Sequence, residues 1–170
     1  MTVIKHKAQR VAVLIDVQNM YHSAKNLYNA RVNFKEMLRT AVAGRELVHA
    51  IAYAIRTESG EEKSFVDALT KMGIRMQMKD LQIFPGGMKK ADWDVGIAVD
   101  AIRFAHKVDA IVLISGDGDF VPLIEYLRHV AGVQIEVIAF GRSTSQRIKE
   151  TADDFLDLGA DPKKYILRIR

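Results

Sequence analysis

Two uninterrupted apolar stretches, each running into aspartate, constrain the fold of this chain more than any other feature. Val11-Ala-Val-Leu-Ile15 leads to Asp16, and Ile111-Val-Leu-Ile114 leads through Ser115 and Gly116 to Asp117, Gly118 and Asp119. A strand that is apolar at every position is covered on both faces, which points to a parallel sheet with helices on each side. Ligands of such sheets sit at the carboxyl ends of the strands, so three acids are delivered to a binding edge. Gly116 and Gly118 permit a sharp turn or a close backbone approach there. Each acid also has an ordinary role open to it. Asp117 can cap a helix starting near Phe120, and Asp16 can form a turn or cap. Asn19 can orient Asp16, bind phosphate, or be the cap itself.

The remaining segments alternate strand and helix. Helical patterns cover Gln18 to Tyr28, the stretch from Asn33 to Gly44, the stretch after Ser59, and Val121 to Val130. Asn33 with Glu36, and Ser59 with Glu62, have capping-box spacing. Strands are expected at Leu47–Ile55, at Ile74–Lys79 with one wet face and hence at an edge, and at Gln134–Phe140. Phe155, Leu156 and Leu158 are expected to pack back, and the segment from Asp161 reads as a linker or swapped end. Right-handed crossovers between five such strands give a mainly parallel α/β three-layer sandwich, for which the order 3-2-1-4-5 is the expectation. That order makes the first and fourth strands neighbours, so Asp16, Asp117 and Asp119 meet at the topological switch point.

A further helix opens at Asp92-Trp93-Asp94 and runs to about His106. Running antiparallel to the strands, it starts at the edge where they end, so Asp94 can approach the other acids. One of Asp92 and Asp94 is expected to cap it. Asp100 lies about 9 Å further along the axis and on another face, outside the cluster. Four carboxylates in one crevice repel unless a cation neutralises them or some are protonated. An all-oxygen set suits Mg²⁺ or Mn²⁺. Thiolate chemistry is excluded, because the chain has no cysteine, a composition that also fits a cytoplasmic protein. The net charge of +4 leans towards an anionic partner, with Lys89, Lys90 and Arg142 beside the predicted functional loops. No apolar run approaches the roughly 20 residues of a membrane span, so no membrane partner is expected. A length of 170 residues is read as one domain at 10–160, with an extension at 1–9 and a tail at 161–170.

Three ordered motifs resemble those of NYN domains, nearest to the LabA-like branch formerly labelled domain of unknown function 88. They are Ile15-Asp-Val-Gln-Asn19, the stretch from Lys89-Lys90 through Asp92-Trp-Asp94 to Asp100, and Ser115-Gly-Asp-Gly-Asp-Phe120. The likeness spans about Arg10 to Leu158. It implies a PIN-like fold and a metal-dependent ribonuclease site carried by Asp16, Asp94, Asp117 and Asp119, with Asn19 and Ser115 supporting. Asp92 is an extra acid beside the middle motif, where Lys89-Lys90-Ala91 replaces the family's usual lysine-glycine. RNA is the partner implied, and a homodimer is compatible with the sequence. The alternative function is a non-catalytic RNA-binding or regulatory module that keeps the acidic pocket. A haloacid-dehalogenase-type phosphatase needs Asp-x-Asp after the first strand, where Asp16-Val-Gln18 stands instead. A receiver domain lacks its paired acids, and an EF-hand lacks the loop ligands after Asp119.

Overall fold

The computed structural model describes residues 3–168 apart from 58, 61 and 88. The side chains of Lys89 and Lys90, expected to stand beside the functional loops, lie outside what is described. In chain order the elements are β1 (Arg10–Asp16), α1 (Val17–Tyr28), β2 (Ala30–Val32), α2 (Phe34–Val42), β3 (Glu46–Arg56), α3 (Lys63–Lys71) and β4 (Arg75–Asp80). A small ribbon follows, β5 (Gln82–Ile83) with β6 (Lys89–Lys90), then α4 (Asp94–Phe104), β7 (Ala110–Ile114), α5 (Val121–His129) and β8 (Gln134–Ala139). The chain closes with α6 (Gln146–Thr151), β9 (Asp154–Asp157), α7 (Pro162–Tyr165) and β10 (Ile166–Arg168).

The main sheet has six strands in the order β4-β3-β1-β7-β8-β9, and all of its pairings are parallel. The alternation of side chains along each strand divides the interior into two layers. Ala12, Leu14, Ile111 and Leu113 face α4, α5 and α6, where Ile97, Phe104, Ile124, Leu127 and Ile148 cover them. Val11, Val13, Ile15, Val112 and Ile114 face the other way, against Met20, Ala24, Met37, Leu69 and Tyr165. Both faces of the central strands are therefore dry, as their composition requires. β4 is at the edge, half-buried along its length.

The expected order holds for five strands, and β9 adds a sixth beside β8. Its sequence, Asp-Phe-Leu-Asp, is too short to show a period, and its pairing with β8 decides it. The capping box proposed at Ser59 does not form. Glu62 instead turns its carboxylate back to accept hydrogen bonds from the Thr57 backbone N–H (2.9 Å) and hydroxyl (2.8 Å). Asn33 does cap α2, accepting from the Glu36 N–H at 3.3 Å. Neither linker nor swapped end describes the segment after Asp161, because β10 pairs antiparallel with β2 of the same chain and Tyr165 is buried. At the amino end of the sheet, the buried Arg45 guanidinium grips Glu136 at 2.7 and 3.0 Å and donates to the Ala41 and Val42 carbonyls. That bond ties the connection after α2 to β8.

Candidate metal centre

β1 and β7 pair in register up to Ile15 and Ile114, so Asp16 and Ser115 leave the sheet side by side. The two strand ends are then stitched together. Asp16 accepts from the Ser115 hydroxyl at 2.9 Å and from the Asn19 N–H at 3.2 Å. Asn19 accepts from the Gly116 N–H at 2.9 Å, and the Ser115 hydroxyl accepts from the Asp117 N–H at 3.2 Å. Asp16 thus caps α1 and orients the following loop at once, which makes Asn19 an orienting group between two loops. Asp117 accepts from the Asp119 N–H at 2.9 Å, so it does cap the short 3-10 turn Gly118–Phe120. One Asp117 oxygen serves that cap, and a carboxylate has a second to offer.

Close packing holds this loop from behind. A Cβ on Gly116 would lie 2.6 Å from the Thr144 hydroxyl and 3.3 Å from the Ser143 carbonyl. Only glycine lets the loop after β7 rest on the loop after β8. The latter is anchored in turn, since Thr144 donates to the Phe140 carbonyl at 2.7 Å and Asp157 accepts from the Gly141 N–H at 2.7 Å. Opposite, α4 brings Asp94. Asp92 accepts from the Asp94 N–H at 3.2 Å, so Asp92 forms the turn that starts the helix. Trp93 donates through its indole to the Ala54 carbonyl at 2.9 Å, and Lys79 stands 4.3 Å over its ring. These contacts fix the first turn of α4 to the end of β3.

As a result, one carboxylate oxygen from each of Asp94, Asp117 and Asp119 lies within 4.8 Å of the others. Asp16 and Asp92 line the same cleft, which has a volume of about 440 Å³. Asp100 is elsewhere, accepting from the Tyr53 hydroxyl at 2.7 Å and facing Arg103. Arg142 is exposed beside Ser143, itself a lining residue. The electrostatics follow from crowding. Burial first, then the negative charges of Asp117, Asp92, Asp16 and Asp119, push Asp94 up to about 6. Burial also raises Asp16, against the hydrogen bonds from Asn19 and Ser115 that favour its charge. The same wall holds Gln18, His22, Ser23 and Asn26 of α1, which motif reasoning passed over. The spacing of four between Gln18, His22 and Asn26 was a legible signal.

The NYN domain family profile matches residues 10–159. The chain belongs to the NYN domain family. This NYN domain is 28% identical over 169 residues to the "Low amplitude and bright protein LabA" of Synechococcus elongatus, covering 94% of this chain and 89% of that one. A crystal structure of a protein of unknown function from Vibrio parahaemolyticus superposes with a TM-score of 0.86 at 32% identity, covering 97% of this chain and 100% of that one. NYN domains are in general nucleases of PIN-like fold, and the acid cluster is consistent with that chemistry. The donor set fits a divalent cation: its oxygens converge, they are hard ligands, and their mutual repulsion awaits a positive charge. No helix among the described residues is long and apolar enough to cross a membrane.

Proposed function

We propose that this NYN domain is a metal-dependent ribonuclease that hydrolyses RNA phosphodiester bonds in the cleft at the end of β1 and β7. The observation that carries the reading is the convergence of Asp94, Asp117 and Asp119 at the mouth of a parallel sheet whose family is nucleolytic. A bound Mg²⁺ or Mn²⁺ would supply Lewis-acid stabilisation of phosphoryl charge and an activated water. Asp94, Asp117 and Asp119 hold that ion in this reading, and Asp16 joins them from its buried position behind. Asn19 and Ser115 keep Asp16 and the Asp117 loop in place through the hydrogen bonds they make. Asp92 positions Asp94 by starting the helix. Arg142, Lys89 and Lys90 contribute charge for the RNA backbone.

The test is incubation with mixed RNA substrates in Mn²⁺, Mg²⁺ or EDTA, beside an Asp117→Asn protein. Fragmentation that requires metal and is lost with the substitution is the expected result. Intact RNA under all conditions would refute catalysis. A second reading, a non-catalytic RNA-binding or regulatory module with the same pocket, is favoured by one observation: the cyanobacterial relative carries a name that specifies no reaction.

A further inference from the structure

Helix α4 is apolar on two opposite faces. Ile97, Ala101 and Phe104 lie in the core, while Val95, Val99 and Ile102 are 76%, 49% and 41% exposed. The outer three recur at intervals of four and three residues, so they form one stripe about 10 Å long. Other surface helices differ in kind: α2 exposes Lys35 and Arg39, and α6 exposes Gln146, Arg147 and Glu150. A helix that is hydrophobic all round belongs in an interior. The sheet covers one side of α4, and no described residue closes over Val95 or Val99 on the other.

The two ends of this helix carry opposite charge. Asp92 and Asp94 stand at its amino end, in the cleft with Asp16, Asp117 and Asp119. Arg103, His106 and Lys107 are exposed at or just past its carboxyl end. Two copies of α4 stacked antiparallel on the stripe bring each basic end to the other's acidic end, whereas parallel stacking sets acids against acids. Antiparallel stacking about a two-fold axis is also the self-complementary arrangement of an isologous dimer. Arg103 is free to take part: its bond to Asp100 at 3.2 Å is made by a mostly exposed guanidinium and is of small worth. The cleft is short of such charge, for its lining has five aspartates and, among the described residues, no lysine or arginine.

We propose that the outer face of α4 is the interface of a homodimer, in which Val95, Val99 and Ile102 pack on the same stripe of an antiparallel second copy. Arg103, His106 and Lys107 of the partner subunit then stand beside Asp92 at the mouth of the cleft. The interface stands on the helix alone. The use of those cations, to hold the RNA backbone next to the acid cluster, rests on the ribonuclease reading.

The first test uses the full chain without metal or RNA. Sedimentation equilibrium is expected to show the mass rising from one chain to two with concentration. Val95→Asn with Val99→Asn, which leaves amides unpaired at the interface without adding charge, is expected to hold it at one. Both valines are exposed, and an unchanged circular dichroism spectrum confirms that the fold is intact. Orientation is read by cross-linking, because the chain has no cysteine of its own. In the antiparallel pair Val95 faces Ile102 of the partner subunit, and each lies about 10 Å from its own copy, beyond the reach of a disulfide. A mixture of Val95→Cys and Ile102→Cys proteins is therefore expected to give several-fold more disulfide-linked dimer on oxidation than either protein alone. A single-chain mass up to millimolar concentration, a double-Asn protein that still dimerises, or Val95→Cys alone cross-linking as well as the mixture would each overturn the interface, and none bears on the ribonuclease reading. The second test is binding of labelled RNA in Mg²⁺, with Asp117→Asn present to suppress cleavage. The double-Asn substitution is expected to weaken it by about tenfold and to flatten its salt dependence, as lost phosphate contacts do. RNA bound equally by monomer and dimer would overturn the role of the partner's cations. RNA bound by neither would overturn the ribonuclease reading and, with it, that role, while the dimer stands.

Discussion

Replacing Asp94 by Asn separates the electrostatic role of the acid cluster from any structural role. In the metal-free protein Asp94 is pushed up to about 6, by burial first and then by the surrounding acids. In the unfolded chain it titrates near the ordinary carboxylate value of about 3.9. The folded state therefore holds this proton more tightly than the unfolded state. The stability this confers is complete below pH about 4 and is lost as pH rises through about 6. Above that, ionised Asp94 costs at most about 3 kcal/mol, and screening of this partly exposed side chain brings the cost to the order of 1 kcal/mol. Asn carries no charge at any pH, so the variant escapes the cost. It forfeits the attraction of a carboxylate for the first turn of α4, about 0.3–1 kcal/mol, which offsets part of the gain. In EDTA at pH 8 the Asp94→Asn protein is expected to melt up to roughly 1–3 °C above the parent, and the difference should fall away towards pH 4. Excess Mn²⁺ should reverse the order, since only the parent retains the full ligand set and gains stability by mass action. Thermal unfolding followed by circular dichroism across that pH range, with and without metal, measures both. A variant that melts below the parent in EDTA at pH 8, or that responds to Mn²⁺ as the parent does, would refute the reasoning.

Two further substitutions probe the scaffold behind the site. Gly116→Ala places a methyl group 2.6 Å from the Thr144 hydroxyl, so it should cost about 1–3 kcal/mol in urea unfolding and reduce RNA cleavage by displacing Asp117. Thr144→Ala in the same chain should recover part of both, and a lone Gly116→Ala protein with parental activity would show that the two loops do not need this close approach. Arg45→Ala strands the buried Glu136 carboxylate, with Lys5 at 3.5 Å as its remaining cation, and should cost about 3–5 kcal/mol. Replacing both partners by Met should restore much of that stability, and an Arg45→Ala protein as stable as the parent would show the pair to be dispensable.

The parallel sheet and the delivery of acids to one edge were legible in the sequence because each depends on local chemistry. Val11 to Ile15 and Ile111 to Ile114 are apolar on both faces, and only a doubly covered parallel strand satisfies that. Asp16, Asp117 and Asp119 follow directly after such strands, so their placement needed no long-range information. Other features depended on partners far along the chain. Asp-Phe-Leu-Asp became a strand because β8 has an open edge beside it, and Ile166 to Arg168 became one because β2 does. Ser59 had the right spacing for a cap, yet Glu62 found two donors on Thr57. The division of labour between Asp92 and Asp94 was undecidable from spacing, since either can cap. Trp93, bonded to Ala54 with Lys79 over its ring, anchors the first turn of α4, and Asp94 in that turn lies with Asp117 and Asp119. Arg45 and Glu136, ninety-one positions apart, show the limit most plainly. A charge can be buried in the interior only when its counter-charge arrives with it, and that arrival is a property of the folded sheet alone.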